Sequence, residues 1–320
     1  MLDLDAGITM PRIDEVKMKP SCPRWKNLAR SLTIAVAFPL CATAAQQSCD
    51  AALSAAIPAR AADASSGSAF ARQLQGMDDE SREAAILREF SAGNMPGFLR
   101  RLSPVSLDSQ HGAGASSVTI CVMPDYLAIG SDDDYFLAPM RLETALAIAT
   151  RFGFTLPTRH MVDAVYSQSP VHLQPQPLPA GDAMRSTAYY WRHNNMVREQ
   201  RATYEAPLGT LTSGDKKDLV LTGRLWTMQD RVAIYGWHKT DGKPIQPLST
   251  VHGWRYADYS HGVRLVANMA YVDGTAHALS SLLDDGRYAR LFSDEGPIPR
   301  IGELIGTLDR LTPLGAPHLR

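Results

Sequence analysis

A ten-residue apolar run at 31–40 (SLTIAVAFPL), near the start of the 320-residue chain, limits what the rest can be. Lys19, Arg24, Lys26 and Arg30 precede it, and Ala42-Thr43-Ala44 follows it. A positive flank, a short apolar stretch and a small-x-small site together read as a cleavable secretory signal. About ten apolar residues are too few to cross a bilayer, which takes roughly 20. The sequence therefore predicts an N-terminal extension and signal over 1–44, and cleavage leaves 320 − 44 = 276 residues. Asp3, Asp5, Asp14 and Glu15 do not suit the positive flank, so Met18 is the expected start of the signal. Cys41 is not expected to carry lipid, because Phe38-Pro39-Leu40 lacks the small residues that lipidation wants. The expected location is secreted or periplasmic.

Export changes the reading of the cysteines. Of four in the chain, Cys22 and Cys41 leave with the signal, and Cys49 and Cys121 remain. In an oxidising compartment these two are expected to form a disulfide, the alternative being two free thiols. No later stretch approaches 18 apolar residues, so no membrane span is expected after signal removal. A formal net charge of −1 gives no electrostatic reason to expect a nucleic-acid partner.

Residues 45–77 are rich in Ala, Ser, Gly and Gln without a sustained period, and are expected to be a flexible arm with one short helix at 51–56. Residues 78–320 are expected to form a single α+β domain, a mixed or mainly antiparallel sheet flanked by helices. Helical spacing is clear at 78–91, 142–152 and 158–167, with Gly153 as a stop and Thr158 as a cap. Strands are expected at 118–123, 126–129, 135–137, 217–225, 231–238 and 255–270, and helices again at 278–283, 286–292 and 300–311. Residues 186–203 are ambiguous between helix and strand. Pro170, Pro175, Pro177 and Pro179 mark an irregular crossing.

Three histidines, His238, His252 and His261, fall within 24 positions of the C-terminal strand region. Alternation along strands puts His238 and His261 on apolar faces at strand ends, with His252 in the loop between them. Asp258 has the opposite parity from His261 and joins it only through a bulge, which Gly262 would permit. Three chemistries suit such a cluster. One is a divalent metal such as zinc on His238, His252 and His261. Another is general acid–base catalysis by His238, His252, Asp258 and His261. The third is hydrogen bonding to a glycan or peptide; ordinary packed histidines are the bland alternative. Neither H-E-x-x-H nor G-x-S-x-G occurs.

Substrate contacts are expected from residues around this cluster. His193 and Asn194 follow the aromatic triplet 189–191. Lys217 and Asp218 sit in the region that holds all four lysines after residue 44. Trp254, Tyr256 and Tyr259 offer flat faces with polar edges, suited to stacking on sugars or to packing against helices.

The stretches MPDYLAIGSDDDYFLAPM, LPTRHMVDAVY and YGWHKTDGKPIQPLSTVHGWRYADYSHGVRLV resemble those of uncharacterised exported bacterial proteins, over roughly residues 84–300. The resemblance implies a shared fold and export, and no particular reaction.

Export, one globular domain, no nucleotide or redox-cofactor motif and a His/Asp/Tyr/Trp cluster together suggest a hydrolase. Its expected partner is a cell-envelope polymer or glycan, peptidoglycan or a polysaccharide. The alternative is a non-catalytic glycan- or envelope-binding module with the same residues lining a groove.

Overall fold

The computed structural model describes residues 49–50, 57–107 and 118–310. The signal region, the short helix expected at 51–56 and residues 108–117 lie outside the described residues.

The β-branched run Val-Thr-Ile-Cys-Val is β2 (Val118–Val122), almost wholly buried at the middle of a five-stranded sheet. On one side it pairs antiparallel with β1 (Ser103–Leu107), Ser103 opposite Val122 and Leu107 opposite Val118. On the other it pairs antiparallel with β12 (Val266–Val272), with an irregularity between Val266 and Ala270. β13 (Thr275–Ala278) and the two-residue β5 (Phe154–Thr155) both join β12, antiparallel. Helix α3 (Leu142–Phe152) is stopped by left-handed Gly153 at φ 74°. Beside it packs α8 (Ile301–Arg310), through buried Ile301, Leu304 and Leu308.

The molecule is a single α+β domain with mainly antiparallel sheets, and no helix among the described residues is long and apolar enough to cross a membrane. Cys49 and Cys121 are joined by a disulfide, which ties the chain at Cys49 to β2.

The described part of the expected arm is built into the domain. Helix α1 (Gly67–Gln73) is capped by Ser66 and buries Phe70. Its fit is close: a Cβ on Gly67 would lie 2.4 Å from the Tyr135 carbonyl carbon. Asp134 fastens it by accepting from the Ser68 amide at 3.0 Å and the Ser68 hydroxyl at 2.6 Å. Asp132 likewise accepts from the Phe98 amide at 3.1 Å, whereas Asp133 offers its carbonyl to Arg198. Helix α2 (Asp79–Ser91) begins at the N-cap Asp78. The ambiguous segment is a helix, α5 (Thr187–Arg201), with Ser186 as its cap and Tyr190, His193, Asn194, Val197 and Arg201 buried. Those positions follow helical spacing, but three of them, His193, Asn194 and Arg201, are polar, so the stripe does not stand out in the sequence.

The second sheet carries the site. Its order is β10 (Pro244–Ser249), β9 (Ile234–His238), β8 (Lys217–Leu219), β11 (His261–Gly262). β8 lies antiparallel to β9 and parallel to β11, with Lys217 opposite both Gly236 and His261. The long strands expected at 217–225 and 255–270 are much shorter. Residues 223–226 form a 3-10 turn, and 253–260 are turns and irregular chain.

Candidate active site

Alternation along β8 sends Lys217 and Asp218 to opposite faces. On the Lys217 face, the loop 251–260 folds back over the sheet. The Val232 amide donates to the His252 carbonyl (3.1 Å), and the Trp254 amide donates to the Asp230 carbonyl (2.9 Å). The His261 amide donates to the Asp258 carbonyl at 3.0 Å. This turn, rather than a bulge at Gly262, brings Asp258 to His261, because the residues before His261 are not strand.

Asp258 is the hub. Its Oδ1 accepts from the Ser260 amide (2.8 Å) and hydroxyl (2.5 Å), and its Oδ2 accepts from the Tyr256 hydroxyl at 3.1 Å. His261 Nε2 lies 4.0 Å from Oδ2. Burial opposes ionisation of Asp258, but His261, the Ser260 hydrogen bonds and Lys217 outweigh it and hold the carboxyl below its ordinary range. His261 is fully buried with neither ring nitrogen hydrogen-bonded, and burial pushes it down to about 4. Above these two, half-buried His252 stacks on the Tyr256 ring, with centroids 4.0 Å apart and planes within 7°. Its own pKa is lowered by burial, with Lys217 adding to the effect. Lys217 is lowered by burial too, and its ammonium lies 5.1 Å from the Trp237 ring centroid.

Below lies a second buried pair. Lys216 Nζ donates to the Tyr259 carbonyl at 2.6 Å and sits 3.0 Å from His193 Nδ1. A lysine donor there makes Nδ1 the acceptor, leaving the proton on Nε2. Burial and Lys216 push His193 down to about 2. Burial lowers Lys216 to about 8.

The three histidines do not converge. His238 lies on the other side of the sheet, its Nε2 3.0 Å from Asp163 Oδ1, stacked on Tyr166 at 4.5 Å and beside Tyr235. Tyr235 also donates to Asp163, at 2.7 Å. The expected alternation fails because Gly236 (φ 104°) and Trp237 (φ 55°) both take positive φ, which breaks the strand's two-residue period. Trp237 therefore sits on the Lys217 side, and Tyr235 and His238 sit together. With His238 removed, the zinc set expected on His238, His252 and His261 has no basis in the geometry, and no group of three or more His, Cys, Asp or Glu among the described residues is arranged to hold a metal ion.

Several expected substrate contacts are spoken for by the protein. Asn194 is buried and ties off β4 (Tyr135–Leu137), accepting from the Leu137 amide and donating to the Tyr135 carbonyl. Asp218 is buried beneath the Tyr126 hydroxyl at 2.9 Å. Tyr259 is buried and pins the proline-rich crossing, accepting from the Leu178 amide at 2.7 Å. His193, as above, is enclosed. The expected contacts left within reach of solvent are His252, Lys217, Tyr256 and Trp254, the last with the Arg255 guanidinium over its ring at 4.8 Å. Lys216, whose neighbour Lys217 looked equally exposed, and Arg185, at the end of the 3-10 turn Asp182–Arg185 that follows the proline-rich crossing, were not among the expected site residues. Arg185 lies 5.8 Å from the Tyr256 ring centroid.

No protein-family model matches the chain, and neither a curated protein nor a solved structure is significantly similar to it. The site's chemistry therefore rests on its own atoms.

Proposed function

We propose that this protein is an exported hydrolase that cleaves acyl bonds in a cell-envelope or extracellular polymer, with His252 as general base. The observation that carries the proposal is half-buried His252 stacked on Tyr256, whose hydroxyl is held by buried Asp258, with half-buried Lys217 on the same face of the sheet. A neutral imidazole accepts a proton from water at the pH where that water must attack. The water oxygen adds to the acyl carbon, and the Lys217 ammonium faces the developing oxyanion. The acyl bond to the leaving group then breaks, and His252 returns its proton to that group. Tyr256 fixes the imidazole plane by stacking, and its hydroxyl is anchored on Asp258.

The carboxylate inventory favours acyl over glycosidic bonds. Glycosidases ordinarily work with two carboxyl groups flanking the scissile bond. Asp258 stands alone against His252 and His261, buried and already accepting three hydrogen bonds. Serine is no better placed as a nucleophile: Ser260 is buried on Asp258, and Ser213 is buried. Export rests on the signal-like N-terminus and is consistent with the Cys49–Cys121 disulfide.

The test is the release of soluble fragments from purified sacculi by the mature protein, with pelleted protein counted in the same tubes. His252→Gln is expected to lower release by about 100-fold or more. Equal release by the variant would overturn the assignment of His252. Pelleted wild-type protein with no fragments would replace the hydrolase with a binding module.

A further inference from the structure

A cavity of about 270 Å³ opens between the last turn of α5, the start of β4 and the chain at 204–208. Sites for drug-sized ligands begin at about 300 Å³, so this one suits a smaller molecule. Its polar lining is Arg198, Arg201, Tyr135 and Asp132. Its apolar wall includes the Tyr204 ring and Leu208, a leucine left 41 % exposed.

Two nearly buried side chains hold unused donors toward this cavity. Arg201 is 5 % exposed, and its Nη2 donates to the Pro207 carbonyl at 2.7 Å. Among the described residues its Nε and Nη1 have no partner, and no carboxylate stands within ion-pair distance of it. Neither nitrogen is sealed in the interior, so both open to the cavity that Arg201 lines. Tyr135 is 4 % exposed, and its hydroxyl likewise lacks a partner among the described residues without being sealed off. Burial, with Asp125 and Asp215 adding to it, holds this phenol well above its ordinary pKa, so it remains a donor.

The surrounding charges define the ligand. Arg198 is already engaged: it donates to the Asp133 carbonyl at 2.7 Å, lies 3.6 Å from Asp134 and covers the Tyr135 ring at 4.9 Å. Arg201 is not engaged in that way. A helix end attracts an arginine, but the carbonyl that Arg201 takes belongs to Pro207, beyond α5. The buried acid that feels Arg201 is Asp125, which burial and Asp215 raise to about 7, so it is not a full countercharge. Asp132, exposed on the rim, opposes a second negative charge and so disfavours phosphate. A single anionic group on an apolar body fits both the donors and the wall.

The cavity is separate from the proposed catalytic centre. Arg185, which lies over Tyr256, precedes the first turn of α5. From there 15 residues of helix, about 22 Å at 1.5 Å each, run to Arg201.

We infer that this cavity binds a small monocarboxylate with an apolar body, its carboxylate on Arg201 and Tyr135 and its body against Tyr204 and Leu208. The binding does not depend on the reaction assigned to His252.

The experiment is calorimetric titration of the mature protein with N-acetylleucine, its amide, acetate and inorganic phosphate. N-acetylleucine is expected to bind, with its amide weaker by about 10-fold or more. Acetate, which lacks the apolar body, and phosphate are each expected to bind more weakly than N-acetylleucine. Tyr135→Phe removes a hydroxyl that no described residue bonds, so it should leave thermal unfolding in place and weaken the acid by about 10-fold. Arg201→Gln should abolish the preference for acid over amide; if that variant does not fold, Tyr135→Phe decides. His252→Gln is expected to bind N-acetylleucine like the wild type, so failure of the catalytic reading and failure of this site are told apart. Absent binding of N-acetylleucine, equal affinity for acid and amide, or undiminished affinity in Tyr135→Phe would overturn the site. Acetate or phosphate binding as tightly as N-acetylleucine would overturn it in favour of a simple anion site.

Discussion

His252 and His261 sit 6.3 Å apart, ring to ring, and have opposite exposures. The buried one cannot reach a substrate, its unbonded ring standing 4.0 Å from Asp258, and the half-buried one carries the proposed chemistry. Both pKa directions that matter are downward, and they set the pH profile. His252 is below the ordinary 6.5, so the base is neutral, and active, into more acidic solution than a free imidazole would be. Lys217 is below 10.5, so its charge is lost earlier on the alkaline side. Fragment release against pH should therefore rise through a midpoint below 6.5, hold, and fall through one below 10.5. Lys217→Gln should lose most of the turnover, and with it the alkaline limb. An acid limb above 6.5 would remove His252 as the base.

Gly262 shows how a residue can be noticed in the sequence for the wrong reason. It was expected to permit a bulge, but a Cβ there would lie 2.6 Å from Tyr126 Cδ1 and 2.7 Å from Lys216 Cβ. The requirement is room for the ring of Tyr126, which carries Arg264 over one face at 4.6 Å and donates to Asp218. Gly262→Ala should therefore cost about 1–3 kcal/mol by overpacking, read as a lower urea midpoint. An unchanged midpoint would mean that Tyr126 shifts without loss.

At the scale of elements, legibility followed local chemistry. α2, α3 and α4 (Arg159–Gln168) have their caps and stops written within a few residues, Asp78, Gly153 and Thr158, and their bounds read almost directly. The second sheet does not read that way. β8 and β11 are three and two residues long and exist only because distant chain pairs with them. Their flanks are aromatic and β-branched, so by composition alone they pass for long strands. On β9 the expected alternation puts His238 on the wrong face, and strand length is not the reason. Nothing local announces that Gly236 and Trp237 both take positive φ, and for a tryptophan that conformation is held only by its surroundings. The Lys217, His252 and Asp258 part of the site was legible as a cluster; its depth was not, because burial belongs to the tertiary fold.

The whole molecule buries an unusual set of acids, and its stability should record them. Burial raises Glu83 to about 7, Asp125 to about 7 and Asp218 to about 6, all from ordinary values near 4. For each, the folded chain holds a proton that the unfolded chain has released. The stability this gives is complete below the unfolded pKa and is lost as pH rises through the folded one. His261 and His193 act oppositely: lowered to about 4 and about 2, they supply stability above 6.5 that is lost as pH falls. Between pH 6 and 8 the unfolded histidines are still titrating and buried Lys216, lowered to about 8, begins to lose its proton, so both oppose the slope that the acids set. A group that titrates near 7 is worth about 1 kcal/mol between pH 6 and 8. Each such acid should therefore lower the melting temperature by about 2–4 °C over that interval, against the opposing histidines and Lys216. Glu83→Gln isolates one contributor. The side chain keeps its shape, can still accept from Thr144 and the Arg141 amide, and no longer titrates. Its melting temperature should fall less than the wild type's from pH 6 to 8, with the two closest at the alkaline end. Parallel curves would show that Glu83 is ionised in the fold at neutral pH, with Arg141 and Arg82 compensating its burial.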